Sequence, residues 1–183
     1  MEIILISGKA EAGKTATAKI IQDNLEGHGK KAVITPYGQY VKDTAKLVWN
    51  WNGKKDEDGR QLLQWWGTNY VRVKDPNFWF ETVHRLAEIL DGVVDYIIID
   101  DCRFENEIIP WLSDGVKEPR WKAHTIRVER PGHQNALTPE QRNHPSETGL
   151  DDWRNWDHVL IAEDYDQLWI VANACAEKIF RHI

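Results

Sequence analysis

An α/β fold with a central parallel sheet between helical layers is predicted by three features of the sequence. Glu2 to Ser7 is an isoleucine- and leucine-rich run of strand length, a glycine-bearing turn follows it at once, and Lys14 to Leu25 then carries helical periodicity. With Lys31 to Thr35 as a second short run closed by Pro36, residues 1–35 read strand, loop, helix, strand. That order is a βαβ unit, and such a unit requires parallel pairing.

The remaining elements follow from local signals. Gly27 and Gly29 stop the first helix. Residues 39–49 have a helical pattern, and Asn50 to Gly59 is a polar, glycine-containing loop. Two further helices are expected over Arg60 to Val71 and Asn77 to Leu90, the second with Asp75 as N-cap and Pro76 in its first turn. A helical region of about residues 39–91 therefore separates the second strand from the third. Val93 to Asp100 is almost continuously apolar and ends in two aspartates, as a strand covered on both faces would where it reaches a binding edge. A helix is expected from about Glu105, with Pro110 kinking or ending it. His124 to Glu129 alternates as a strand does. Arg130 to Gly149 is polar, carries Pro131, Pro139 and Pro145, and is long enough to suggest a mobile functional segment. Asp157 to Ala162 supplies a last strand, and Tyr165 to Ile183 a closing helix with Leu168, Val171, Cys175 and Ile179 on one face. All 183 residues fit one domain.

Composition narrows the function classes. A net charge of −6 argues against wrapping a long nucleic acid, which needs many lysines and arginines on phosphates, but suits a small phosphorylated substrate. Cys102 and Cys175 are far apart within apolar surroundings and read as core residues of a reducing compartment. No run approaches the roughly 20 apolar residues of a membrane span, so a soluble, cytoplasmic protein without membrane partners is expected. Ten tryptophans exceed ordinary usage; most suit packing or an interface, including a homodimer face, and one or two suit stacking on a base. His133, His144 and His158 lack zinc-ligand spacing.

The most specific motif is Gly8-Lys9-Ala10-Glu11-Ala12-Gly13-Lys14-Thr15, a full match to G-x-x-x-x-G-K-[ST] between a strand and a helix. Its glycines let successive N–H groups turn toward phosphate oxygens, and the following helix adds the positive end of its dipole. These eight residues, with Ala16 behind them, are the expected nucleotide contacts. Lys14 is assigned to the β and γ phosphates and the Thr15 hydroxyl to Mg²⁺. This makes the predicted fold a three-layer P-loop NTPase fold.

Asp100 and Asp101 close the third strand, where phosphoryl-transfer sites place a Mg²⁺-holding carboxylate. Adjacent strand residues point opposite ways, so one aspartate should face the loop. Asp101 is favoured over Asp100, with Arg103 on its side to grip a phosphate. Arg60 and Arg72 flank a helix of the excursion, and Arg127, Arg130 and Arg142 border or occupy the proline-bearing segment. Such a set suits a reaction that gathers two nucleotides' phosphates beneath a closing lid. Trp65, Trp66 and Trp79 lie where an acceptor base would need a flat partner, although core packing serves them equally.

These pieces together resemble the deoxynucleoside monophosphate kinases of tailed bacteriophages. The matching segments are the P-loop, Arg60-Gln61-Leu62-Leu63-Gln64 with Gly67-Thr68 and Arg72, and Asp75-Pro76 with Trp79. Further on come Asp101-Cys102-Arg103-Phe104-Glu105-Asn106-Glu107 and His144-Pro145-Ser146-Glu147. The resemblance implies one kinase domain with a donor-phosphate unit (residues 1–35), an acceptor region (about 39–91) and a lid (about 130–149). It implies ATP and Mg²⁺ as cofactors, small nucleotide substrates, no nucleic-acid partner, and host cytoplasm for a phage-encoded chain. By position, Arg60, Gln64, Arg72 and Arg103 look like acceptor residues, with Trp65 and Trp79 beside them. Arg130 and Arg142 look like lid residues. Ala162-Glu163-Asp164 departs from the asparagine-containing turn expected near adenine. The alternatives are a P-loop kinase for another small acceptor, or a nucleotide-driven switch or motor.

Overall fold

The computed structural model describes residues 1–112 and 120–181. The first strand, β1, spans Glu2–Ser7, and helix α1 spans Lys14–Gly27. Strand β2 (Ala32–Ile34), helix α2 (Tyr37–Trp49) and helix α3 (Glu57–Gln64) follow. A π-helical stretch, Trp65–Arg72, leads to helix α4 (Phe78–Leu90) and strand β3 (Tyr96–Cys102). After a 3₁₀ turn at Glu105–Glu107 come helix α5 (Ile109–Leu112), strand β4 (Lys122–Glu129), and the short helices α6 (Pro139–Arg142) and α7 (Pro145–Thr148). Strand β5 (His158–Ile161) and helix α8 (Tyr165–Arg181) close the chain. Residues 182–183 of the expected closing helix lie outside the described residues.

The strands form one all-parallel sheet in the order β2-β3-β1-β4-β5. Side chains alternate along each strand, and that alternation builds two cores. Ile4, Ile6, Ile98, Ile126 and Val128 pack with Ile21 and Leu25 of α1 and Leu168, Ala172, Cys175 and Ile179 of α8. Ile3, Leu5, Ile97 and Ile99 face the other way, onto Trp79, Val83 and Ala87 of α4, with Ile108 and Trp111. Each buried isoleucine, leucine or valine among them contributes about 1.5–3 kcal/mol by leaving water. Both cysteines are free and buried. No helix among the described residues is long and apolar enough to cross a membrane.

Several local expectations are revised. The helix expected over Arg60 to Val71 begins earlier and widens to π geometry at Trp65. Gly67 lies within it, where a Cβ would come 3.0 Å from Val41 Cγ1, and its carbonyl accepts a hydrogen bond from Trp79 Nε1 at 2.9 Å. α4 starts after Asn77, because Asp75 closes a turn by accepting from the Asn77 N–H at 3.0 Å. β3 starts at Tyr96; Val93 and Val94 both donate to Leu90 in a turn. Pro110 stands in the first turn of α5, where its missing N–H costs nothing. Likewise Pro139 and Pro145 open α6 and α7 behind the N-caps Thr138 and His144, so these prolines initiate helices in the segment read as irregular.

The chain leaves β1 through α1 on one face and leaves β3 through α5 on the other. A crevice therefore opens above the carboxyl ends of these neighbouring strands.

Candidate active site

The loop from Gly8 to Thr15 fills that crevice. Gly8 must be glycine because a Cβ would sit 2.5 Å from the Val128 carbonyl oxygen of β4. Gly13 must be glycine because its φ is 98°, a conformation that L side chains rarely adopt. Lys14 lies almost fully buried beneath the loop and donates to the Lys9 carbonyl at 2.8 Å. Ala12 and Ala16 pack on the core under the loop.

The Thr15 hydroxyl donates to Asp100 Oδ2 at 2.7 Å, and Asp100 Oδ1 is buried without a hydrogen-bond partner among the described residues. Asp100, not Asp101, is thus the aspartate turned to the loop, which corrects the preference drawn from the sequence. Asp101 points to the opposite wall, where its two oxygens accept from the N–H groups of Tyr37 at 2.8 Å and Gly38 at 2.7 Å. It caps the N-terminus of α2, and a Cβ on Gly38 would come 2.7 Å from Asp101 Oδ2. Burial, then the neighbouring Asp100, pushes the Asp101 carboxyl above its usual range. Alternation along β3 separates the two aspartates: Asp100 continues the phase of Ile98, which packs on the α1 side, and Asp101 that of Ile97 and Ile99.

A cavity of about 600 Å³ extends from the loop across the crevice. Its near wall carries Lys14, Thr15, Asp100 and Arg103, and its far wall Arg60, Gln64 and Arg72. Lys42 and Lys55, which sequence reading passed over, line it too. Neither they nor Arg60 makes an ion pair among the described residues, and Arg60 Nε donates to the Lys55 carbonyl at 3.0 Å. Burial, then Lys42 and Arg60, holds the Lys55 ammonium below its usual range.

Glu107 organises the middle of this site. Its carboxylate is 1% exposed, pairs with Arg72, and accepts from the N–H groups of Arg103 at 2.6 Å and Phe104 at 3.1 Å. Burial outweighs the Arg72 charge and raises its pKa. Arg72 also lies 4.3 Å over the Phe104 ring. Arg103 itself pairs with Glu147 Oε1 at 2.7 Å. Glu107 and Glu147 were visible as the last letters of two motifs, but no sequence signal gave them these partners.

Other expected residues lie elsewhere. Arg130 donates to the Glu163 carbonyl at 3.1 Å beside Pro131 and His133, in a separate depression. Arg142 donates to the Leu137 carbonyl at 3.0 Å. Trp65 packs with Trp49, Trp66 and Tyr70 outside the cavity. Trp79 touches the cavity, but it is buried and its N–H is taken by Gly67.

Lys14 provides a measurable handle. Burial, and secondarily Arg103, lowers its pKa from 10.5 to about 7. Phosphate oxygens beside it would restore the charged form, so the bound state has the higher pKa. Anion binding should then be strongest below about pH 7 and weaken as pH rises beyond it, with a proton taken up on binding at about pH 8. Calorimetry of triphosphate binding in two buffers of different ionisation enthalpy measures that uptake. Lys14→Met should abolish it.

A strand, the Gly8–Thr15 loop and a helix at the centre of an all-parallel sheet, with a Thr15–Asp100 pair beneath, define a P-loop-type α/β fold. No protein-family model and no curated protein sequence matches the chain. Among solved structures, a cysteine-to-alanine mutant of the Mycobacterium tuberculosis APS kinase aligns with 98% of this chain and 94% of its own, at 11% identity and a TM-score of 0.46. The protein APE1195 aligns with 97% of this chain and 96% of its own, at 15% identity and a TM-score of 0.48.

Proposed function

We propose that the chain is a Mg²⁺-dependent kinase that passes the γ-phosphoryl group of ATP to a deoxynucleoside 5′-monophosphate. The observation that carries this reading is one continuous cavity with the P-loop on one wall and Arg60, Gln64 and Arg72 on the other, with Arg103 between. A hydrolase needs only the first wall. An acceptor phosphate oxygen would attack the γ phosphorus in line, the bond to the β,γ-bridging oxygen would break, and ADP would leave. Lys14 and Arg103 would neutralise charge on the transferring group, and Arg60, with Lys42 and Lys55, would hold the acceptor phosphate. Gln64, which lines the same cavity, would read the base. The choice of a deoxynucleotide rests on the family resemblance.

The donor set fits a hard cation: the Thr15 hydroxyl and the unpartnered Asp100 oxygen would hold Mg²⁺ directly or through its water, and phosphates would complete the shell. When bound, Mg²⁺ would offset phosphate charge. Asp100→Asn is expected to raise the Mg²⁺ concentration needed for half-maximal rate by about ten- to a hundredfold, read from a metal titration. An unchanged midpoint would remove Asp100 from the metal's surroundings.

Arg130 and Arg142 belong to the reading as lid residues, contributing only through a movement of residues 130–149. The deciding assay supplies purified protein with ATP, Mg²⁺ and a panel of ribo- and deoxynucleoside monophosphates. Diphosphate formed from a deoxynucleotide is the expected product. ATP hydrolysis with no diphosphate from any acceptor would overturn the kinase assignment.

A further inference from the structure

Three consecutive P-loop residues bind the segment that covers them. Lys9 Nζ donates to the Glu147 carbonyl at 2.7 Å and pairs with Asp151, the Ala10 N–H donates to Glu147 Oε2 at 3.0 Å, and Glu11 pairs with His133 at 3.0 Å. The contact at Ala10 differs in kind from the other two. Lys9 and Glu11 make their contacts through side chains, whereas the Ala10 N–H is one of the loop's own main-chain donors.

The Glu147 side chain is only 8% exposed, and its second oxygen pairs with Arg103 at 2.7 Å. It also lies close enough to Lys14 to oppose the fall in that residue's pKa. One buried carboxylate thus takes a loop N–H and a guanidinium and stands beside the loop lysine. A phosphoryl group attracted by this loop would seek the same donors, and two anions cannot share them.

We infer that Glu147 is an internal stand-in for the terminal phosphoryl group of a nucleoside triphosphate, taking the donors that group would use and giving them up when the triphosphate binds. The inference rests on the reading of the loop as a triphosphate cradle. Its consequence is selective: a diphosphate lacks the group that competes with Glu147, so only the triphosphate must displace the carboxylate. Displacement also frees Arg103 to turn to the phosphoryl group, and loosens the tie between residues 144–148 and the loop.

Full-length wild type, E147Q and D151N are compared by calorimetry with Mg²⁺ and the β,γ-imido analogue of ATP, ADP, or a nucleoside monophosphate. Glutamine keeps the shape and an acceptor oxygen but removes the charge. E147Q is expected to bind the triphosphate analogue about tenfold more tightly, with ADP and monophosphate changed less than about twofold. D151N weakens the Asp151 pairs with Lys9 and Arg127 without touching Glu147, and should shift triphosphate and diphosphate together. Should E147Q also shift both together, or shift neither, or alter the monophosphate instead, Glu147 is only a docking or acceptor-side contact and the inference fails. If wild type binds neither ADP nor the analogue, the triphosphate reading itself falls and the inference with it. A second readout needs no variant: in wild type, amide hydrogen exchange at residues 144–148 should rise with the triphosphate analogue but not with ADP. Equal protection in both complexes would overturn the displacement.

Discussion

Lys14→Met is expected to slow phosphoryl transfer about 10²–10³-fold at saturating nucleotide, the loss seen when one preorganised charge donor is removed from a developing transition-state charge. The same substitution should leave the fold intact or more stable. Burial depresses the Lys14 pKa to about 7, which means that the folded protein bears the cost of desolvating an ammonium that methionine would not carry. A large rate loss with no fall in melting temperature therefore separates a chemical role from a structural one. Initial rates of diphosphate formation and a thermal melt on the same sample make the comparison. A rate within about threefold of wild type would remove Lys14 from the chemistry.

Glu107→Ala should do the reverse and cost about 3–5 kcal/mol of folding stability, measured by urea denaturation. The ion pair with Arg72 is not itself the source of that figure, since burial raises the Glu107 pKa despite the arginine. The cost comes from what alanine would leave behind: an uncompensated guanidinium, 12% exposed, and the N–H groups of Arg103 and Phe104 without an acceptor. Removing the arginine as well, in Arg72→Met/Glu107→Ala, should recover part of the loss, because the stranded charge is gone while the N–H groups remain unmet. A double variant as unstable as the sum of the singles would show that the pair is not coupled.

The sheet and its two cores were legible because they depend on patterns that act over a few residues. Ile3 to Ile6 alternates between two apolar layers, and the strand–loop–helix order around Gly8 to Thr15 admits few arrangements. Less legible were features set by partners distant in sequence. Trp65 and Trp79 were indistinguishable in the sequence, yet one lies in an aromatic cluster outside the cavity and the other is buried against its wall. Arg130 and Arg142 were assigned to the lid by their place in the proline-bearing segment and by resemblance; the spacing gave no sign that they donate to the Glu163 and Leu137 carbonyls.

What the sequence by itself determined is the phosphate-binding loop. Gly8, Gly13, Lys14 and Thr15 act through backbone freedom, charge and a hydroxyl at fixed spacing, all of which are local properties. What only the tertiary structure decided is who stands opposite: Asp100 rather than Asp101 beneath Thr15, Glu107 between Arg72 and Arg103, and Glu147 on the Ala10 N–H. The Arg72–Glu107, Thr15–Asp100 and Ala10–Glu147 pairings close separations of 35, 85 and 137 residues. Strand register and crossover path set them, and neither is written in the spacing of any one segment.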